Sequence, residues 1–175
     1  PIPDGVAEQS FAGNFKWKTS QGDDRYRRGM YTFFKRTAPD PNLITFDCPD
    51  ANVSITKRNI SNNPIIALAT LGNEVFHEAA QALAQRIIKN LPNDNDQDRI
   101  AEAFQLCTSR KPQSEETNEL MTLLKKSRHF YSENKEEAKT VIGKYSLETI
   151  EAADLAPWVS VSRIILNLDE TITRE

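Results

Sequence analysis

PIIALATLGNEVFHEAAQALAQRIIKN, residues 64–90, is the stretch that decides the fold class. Pro64 suits the first turn of a helix, where its missing N–H would have no partner, so IIALATL reads as a short apolar helix stopped at Gly72. Asn73 then caps a second helix running to about Asn90. In that helix Val75, Phe76, Ala79, Ala80, Leu83, Ile87 and Ile88 form an apolar stripe, while Glu74, Glu78, Gln81 and Gln85 line the opposite side. This is the pattern of a helix laid with one face on a core.

Working toward the C-terminus, Pro92 and the run NDNDQD end that helix and start another. A helix from about Asp96 to Ser109 is expected to bury Ile100, Ala103, Phe104 and Cys107. Another, from Ser114 to about Ser132, buries Leu120, Leu123, Leu124 and Tyr131, with Ser114, Glu115 and Glu116 as its N-terminal signal. Residues 133–150 read as a short helix and a turn at Gly143. A last helix from Pro157 presents Trp158, Val161, Ile165, Leu168 and Ile172 at spacings of three and four, a packing seam. No strand signal has comparable strength.

Working toward the N-terminus, residues 38–63 carry Pro39, Pro41 and Pro49 among Asp, Asn and Ser, a composition for turns. Leu43, Ile44, Phe46, Val53 and Ile55 give this loop apolar anchors, so it is expected to be ordered. Before it, Asp24 can cap a short helix at about 25–36, with Met30, Phe33, Phe34 and Thr37 at helical spacing and Gly29 against it. Residues 1–23, with Phe11, Phe15 and Trp17 at near-alternating positions, read as an extended aromatic arm. The expectation is an all-α domain of five to seven helices over 1–175: arm, short helix and ordered loop in 1–63, helical core in 64–175.

A chain of 175 residues is long enough to bury a core, and a net charge of -3 argues against a general nucleic-acid binder, which needs an excess of Lys and Arg. No apolar run is long enough to span a bilayer. The start at Pro1, without Met, reads as a boundary inside a longer protein. Two cysteines, Cys48 and Cys107, give no metal spacing, so structural zinc is not expected. Three readings stay open for them: buried apolar thiols, a disulfide if the chain is exported, or a reactive nucleophile. Without a CxxCH motif this piece attaches no c-type haem itself.

Asp94, Asp96 and Asp98 alternate like the start of a calcium loop, but Arg99 and Gln105 stand where Gly and Glu are needed, so they read as an acidic helix cap. His77 and His129 lack partners at metal spacing and are expected in solvated or capping roles. The candidate site is DRYRRGMYTFFKRT, Asp24 to Thr37. Arg25, Arg28 and Lys35 with Tyr31 suit an anionic group held by guanidinium forks over an aromatic face. Asp47 and Asp50, in the turn Asp47-Cys48-Pro49-Asp50, can line the same pocket, and Trp17 can stack on a sugar ring. The other reading is structural: Arg27, Arg28 and Arg36 pair with Asp23, Asp47 or Asp50 and tie the loop down.

Three blocks in order, GDDRYRRGMYTFFKRTAPDPNLITFDCPD, SNNPIIALATLGNEVFHEAAQALAQRI and WVSVSRIILNLDETITRE, resemble the planctomycete-specific C-terminal domain of unknown function 1553. The family's usual block reads SNTPLQALxxLN where this chain has Ser61 to Leu68 and then Leu71, Gly72 and Asn73. The resemblance implies a C-terminal fragment of a large exported protein, periplasmic or at the cell surface, whose upstream domains often include a c-type cytochrome. It carries over no reaction and no cofactor for this chain. Two functional expectations follow: a module that packs on upstream domains of the same protein in a redox assembly, or part of the binding site for a saccharide or anionic ligand in an exported oxidoreductase or carbohydrate-processing enzyme.

Overall fold

The structure is a computed structural model, and it describes residues 20, 22–32, 34, 39–49, 51–57, 59, 61, 63–91 and 95–173. The aromatic arm with Trp17, and Lys35, Asp50 and Asp94, lie outside the described residues, as does the side chain of Arg25. Among the described residues the protein is all-α: α1 (Pro41–Thr45), α2 (Pro64–Gly72), α3 (Glu74–Asn90), α4 (Asp96–Thr108), α5 (Ser114–Glu133), α6 (Lys135–Ile142), α7 (Ala152–Leu166) and α8 (Asp169–Ile172). Two are only five and four residues long, which leaves six helices of substance. The chain divides into two compact units, Pro1–Ile66 and Ala67–Glu175.

In the first unit the described part of the span expected as a helix at 25–36 forms two 3-10 turns instead, Gly22–Tyr26 and Gly29–Tyr31, separated at Arg28, and Thr32 is extended. Gly29, which weakens a helix, begins the second of them, and a Cβ there would come within 2.7 Å of the Leu43 side chain. Met30, placed on the apolar stripe by the sequence, is 71% exposed. The loop 38–63 contains a helix that the sequence reading passed over: Asp40 accepts from the Asn42 N–H at 2.8 Å and Pro41 takes the first position of α1. Asp47 and Ala51 both have positive φ, 55° and 58°. Asp47 also closes the loop, accepting from the Ser61 N–H at 2.7 Å and the Ser61 hydroxyl at 2.8 Å.

The second unit is built around α7, which packs most extensively on α5, α3 and α6. Leu155, Ala156, Pro157, Trp158, Val159, Val161, Ser162 and Ile165 are all buried. A helix apolar on every side belongs in the middle of a bundle. It starts at Ala152, before Pro157, which sits inside the helix and removes only the bond to the Ala153 carbonyl. The helix also ends earlier than the seam implied. Asn167 and Leu168 turn the chain, so Leu168 and Ile172 belong to the turn and α8. Around α7, the side chains of Ala80, Ala84, Ile87 and Ile88 from α3 are buried, as are Ile100, Ala103 and Phe104 from α4, Leu120 and Leu124 from α5, and Ala138 and Ile142 from α6.

Local signals account for the boundaries. Asn73 accepts from the Val75 N–H at 2.9 Å, as its position implied, and is itself extended, so it is Asn73 and not a left-handed Gly72 that separates α2 from α3. Asn95, and not one of the aspartates named for it, caps α4 by accepting from the Asp98 N–H at 2.9 Å, while Asp96 and Asp98 lie in the first turn. At α5 the cap position falls on Gln113 instead of Ser114, because Glu116 reaches back to the Gln113 N–H at 2.6 Å. Gly143 ends α6 at φ 52°.

Candidate functional site

In the first unit the described part of the basic-aromatic segment is exposed from Tyr26 to Thr32, while Phe34 is half-buried. Tyr26, Arg28, Met30 and Tyr31 all face solvent, Tyr31 at 67%. Arg27 donates to Asp24 at 2.7 Å, an exposed pair with little energetic weight. The side chain of Arg28 pairs with no described residue, and Asp47, which the structural reading offered it, is bonded to Ser61. Of the sequence candidates the structure therefore describes Arg28, Tyr31 and Asp47 in full; the Tyr31 N–H donates to the Arg28 carbonyl at 2.9 Å, a main-chain bond of the second 3-10 turn. Arg25 falls in the first 3-10 turn. Cys48 is a free, half-buried thiol in the same stretch.

The second unit holds three polar assemblies that the sequence reading missed. At the first, three of the four residues assigned to the outside of α3, Glu78, Gln81 and Gln85, turn inward, and Glu74 stays exposed. Gln81 is buried, its amide Nε2 donating to the Val141 carbonyl at 2.6 Å and lying 3.1 Å from His77 Nε2. One turn further, Gln85 Nε2 donates to the Tyr145 carbonyl at 3.3 Å and the Ser146 carbonyl at 3.4 Å. Glu78 accepts from the Tyr145 hydroxyl at 3.1 Å and pairs with Lys144 at 2.5 Å. Residues at 78, 81 and 85 thus hold the turn after α6, and a Cβ at Gly143 would lie 3.1 Å from Gln81 Nε2, a contact the amide would have to yield to. His77 is half-buried, not solvated; burial first, and then the nearby Arg163 charge, lower its pKa, while a bond to the Val141 carbonyl raises it. Arg163 itself donates to the Leu71 carbonyl at 2.6 Å. The signal was the i, i+3, i+7 spacing of Glu78, Gln81 and Gln85, which reads equally as a wet face or as a face on carbonyls.

At the second, a cleft of about 370 Å³ is lined by Ile88, Arg99, Arg128, Thr149, Ile150, Glu151, Asp154 and Trp158. Arg128 grips Asp96 with both nitrogens, at 2.5 and 2.8 Å, and this bond holds the Asp96 carboxyl below its ordinary range. Arg99 donates to the Leu91 carbonyl at 2.9 Å with its guanidinium 5.9 Å from the Trp158 ring centre. The indole is 1% exposed, so the cleft offers it to no ligand.

At the third, Arg110 stands over the Phe104 ring, 4.8 Å from its centre, and binds Glu116 and Glu170 through two bonds each, all between 2.6 and 2.8 Å. The Arg110 bond holds Glu116 at about 2 and keeps Glu170 lowered as well. This clamp ties α8 to the α4–α5 loop. Elsewhere, Cys107 is a free thiol that burial pushes up, away from the thiolate, and His129 is 79% exposed on its side chain, 3.9 Å from Glu133. Among the described residues no group of three or more His, Cys, Asp or Glu could hold a metal ion, and no helix is long and apolar enough to cross a membrane.

None of these assemblies sets a nucleophile against a base and an oxyanion donor. Residues 3–124 match the model of the family PSD1, protein of unknown function (DUF1553). The chain belongs to this family. No curated protein and no solved structure matches it. The DUF1553 match covers the exposed segment of the first unit and ends at Leu124, inside α5. α7, on which the second unit is built, therefore lies beyond the matched residues of this DUF1553 protein.

Proposed function

We propose that the chain is a noncatalytic helical module of a larger exported bacterial protein, docking through residues 26–65 of its first unit on upstream domains of the same polypeptide in a cytochrome-linked redox assembly. One observation carries the docking. Most of the large apolar side chains exposed among the described residues fall in this stretch, including Tyr26, Met30, Tyr31, Val53 and Ile65. Scattered exposed apolar residues are ordinary, but such a concentration in one stretch is characteristic of surfaces that another domain covers. Export and the redox assembly rest on the resemblance of the three sequence blocks alone.

A second reading, part of a saccharide or anion site, is favoured by the exposed Arg28 without a described partner beside exposed Tyr31. Arg28→Ala and Asp47→Ala in the longer protein separate the two. The module reading expects turnover of the assembly to survive both, with stability lowered at Asp47, whose carboxylate closes the loop on Ser61. Lost turnover in a chain of unchanged stability would support the ligand site instead.

A further inference from the structure

The cleft at the start of α7 brings together side chains of both charge signs that the fold leaves partly uncommitted. Its volume, about 370 Å³, lies at the small end of the range for ligand sites, about 300–1,000 Å³. Arg128 gives its two terminal nitrogens to Asp96, and its Nε–H has no acceptor among the described residues. Asp154 lies near enough for its charge to be felt at that guanidinium: the Asp96 bond first, and then the charges of Asp96 and Asp154, raise the Arg128 pKa against burial. Yet the ion pair of Arg128 is with Asp96 and not with Asp154. Among the described residues the side chains of Thr149, Glu151 and Asp154 have no bonded partner, and Glu151, at the N-cap of α7, makes no capping bond. Arg99, already bonded to the Leu91 carbonyl, adds a second positive charge to the lining, and Ile88 and Ile150 make it partly apolar.

These charges decide which ligands suit the cleft. A bare anion drawn to Arg128 meets the carboxylates of Glu151 and Asp154, and a bare cation drawn to those carboxylates meets two guanidinium groups. A sugar finds no ring to stack on, because the indole of Trp158 is buried. What remains is a small molecule that carries both charges on an apolar body. We propose that the cleft binds a free aliphatic α-amino acid in its zwitterionic form, the ammonium on Glu151 and Asp154, the carboxylate accepting from the Arg128 Nε–H, and the side chain against Ile88 and Ile150. Both ends are then charge-assisted hydrogen bonds, and each ligand charge screens the protein charge that would repel the other. The site lies in the second unit alone and is independent of the docking reading.

Titration of this chain with L-leucine, followed by NMR of the backbone amides and the arginine Nε–H groups, tests the site. Saturable shifts are expected at residues 149–154 and at the Arg128 Nε–H. Isoamylamine, which is leucine without the carboxylate, and isocaproate, which is leucine without the ammonium, should each bind on the order of ten-fold more weakly, the worth of one charged hydrogen bond. Asp154→Asn and Glu151→Gln, both at exposed positions, should weaken leucine by a similar factor while the spectrum stays that of the folded chain. The absence of saturable shifts at millimolar leucine overturns the site. So does isoamylamine binding as well as leucine, which would reveal only an acidic surface, or isocaproate doing so, which would reveal only a basic one. Should either variant fail to fold, the three ligands on the parent chain still decide.

Discussion

Gly143 and Ser162 show how single positions report on the core around them. Gly143→Ala places a Cβ at φ 52° and 3.1 Å from the Gln81 amide, and should cost about 1–3 kcal/mol in urea unfolding. Ser162 is fully buried on α7 with a hydroxyl that has no hydrogen-bond partner. Ser162→Ala removes that liability, so the same measurement should show a gain of about 1 kcal/mol, where an ordinary core truncation loses stability. Glu116 contributes to acid stability: it is held down from 4.5 to about 2 by Arg110 and the Gln113 N–H. A carboxyl lower in the folded state binds fewer protons there than in the unfolded chain. Its contribution is complete above about 4.5 and is lost as pH falls toward about 2. Thermal melts should therefore drop through that window, and Glu116→Gln should flatten the drop, modestly because the pair is well exposed. At this scale the buried apolar residues of α4 and α5 were legible in the sequence, since Ile100, Phe104, Leu120 and Leu124 have no polar alternative. Gln81 was not, because nothing in its own neighbourhood reveals the Val141 carbonyl sixty positions away.

Among the elements, α3, α4, α5 and α6 form close to the limits implied by Asn73, Pro92, Pro112 and Gly143, because caps and breakers act within a turn of where they stand. Asn73→Ala, which removes the acceptor of the Val75 N–H, should cost roughly 1 kcal/mol in the same unfolding assay. The helix expected over 25–36 gives way, among the described residues, to two 3-10 turns, the second beginning at Gly29, the residue that already spoke against it in the sequence. α7 was misjudged at both ends. Pro157 looks like a start but is tolerated in the second turn, and the seam of threes and fours hides the break at Asn167, whose side chain accepts from the Thr70 hydroxyl. The family match stops at Leu124, yet Trp158, Val161 and Ile165 fill the centre of the second unit. A chain cut after Leu124 should therefore lose cooperative unfolding, as followed by circular dichroism against urea, since α3 and α5 would be left with their buried faces open to water.

For the molecule as a whole, the all-α class was legible from the spacing of apolar residues in 64–90, whereas the use of the exposed surface was not, since a sequence shows which side chains are apolar but not which of them stay uncovered. Ile65 and Leu68 lie one turn apart on α2 and are 66% and 71% exposed. If Ile65 serves docking and not folding, Ile65→Ser should shift the unfolding free energy of this chain by no more than about 0.5 kcal/mol, the range of substitutions away from structural contacts. The docking claim itself is best tested by hydroxyl-radical footprinting of Tyr26, Met30, Tyr31 and Ile65 in this chain alone and within the longer polypeptide. The account expects these side chains to be labelled readily in the chain alone and protected in the longer protein, with Phe130 on α5 labelled equally in both. Equal labelling of all of them in both forms would contradict it.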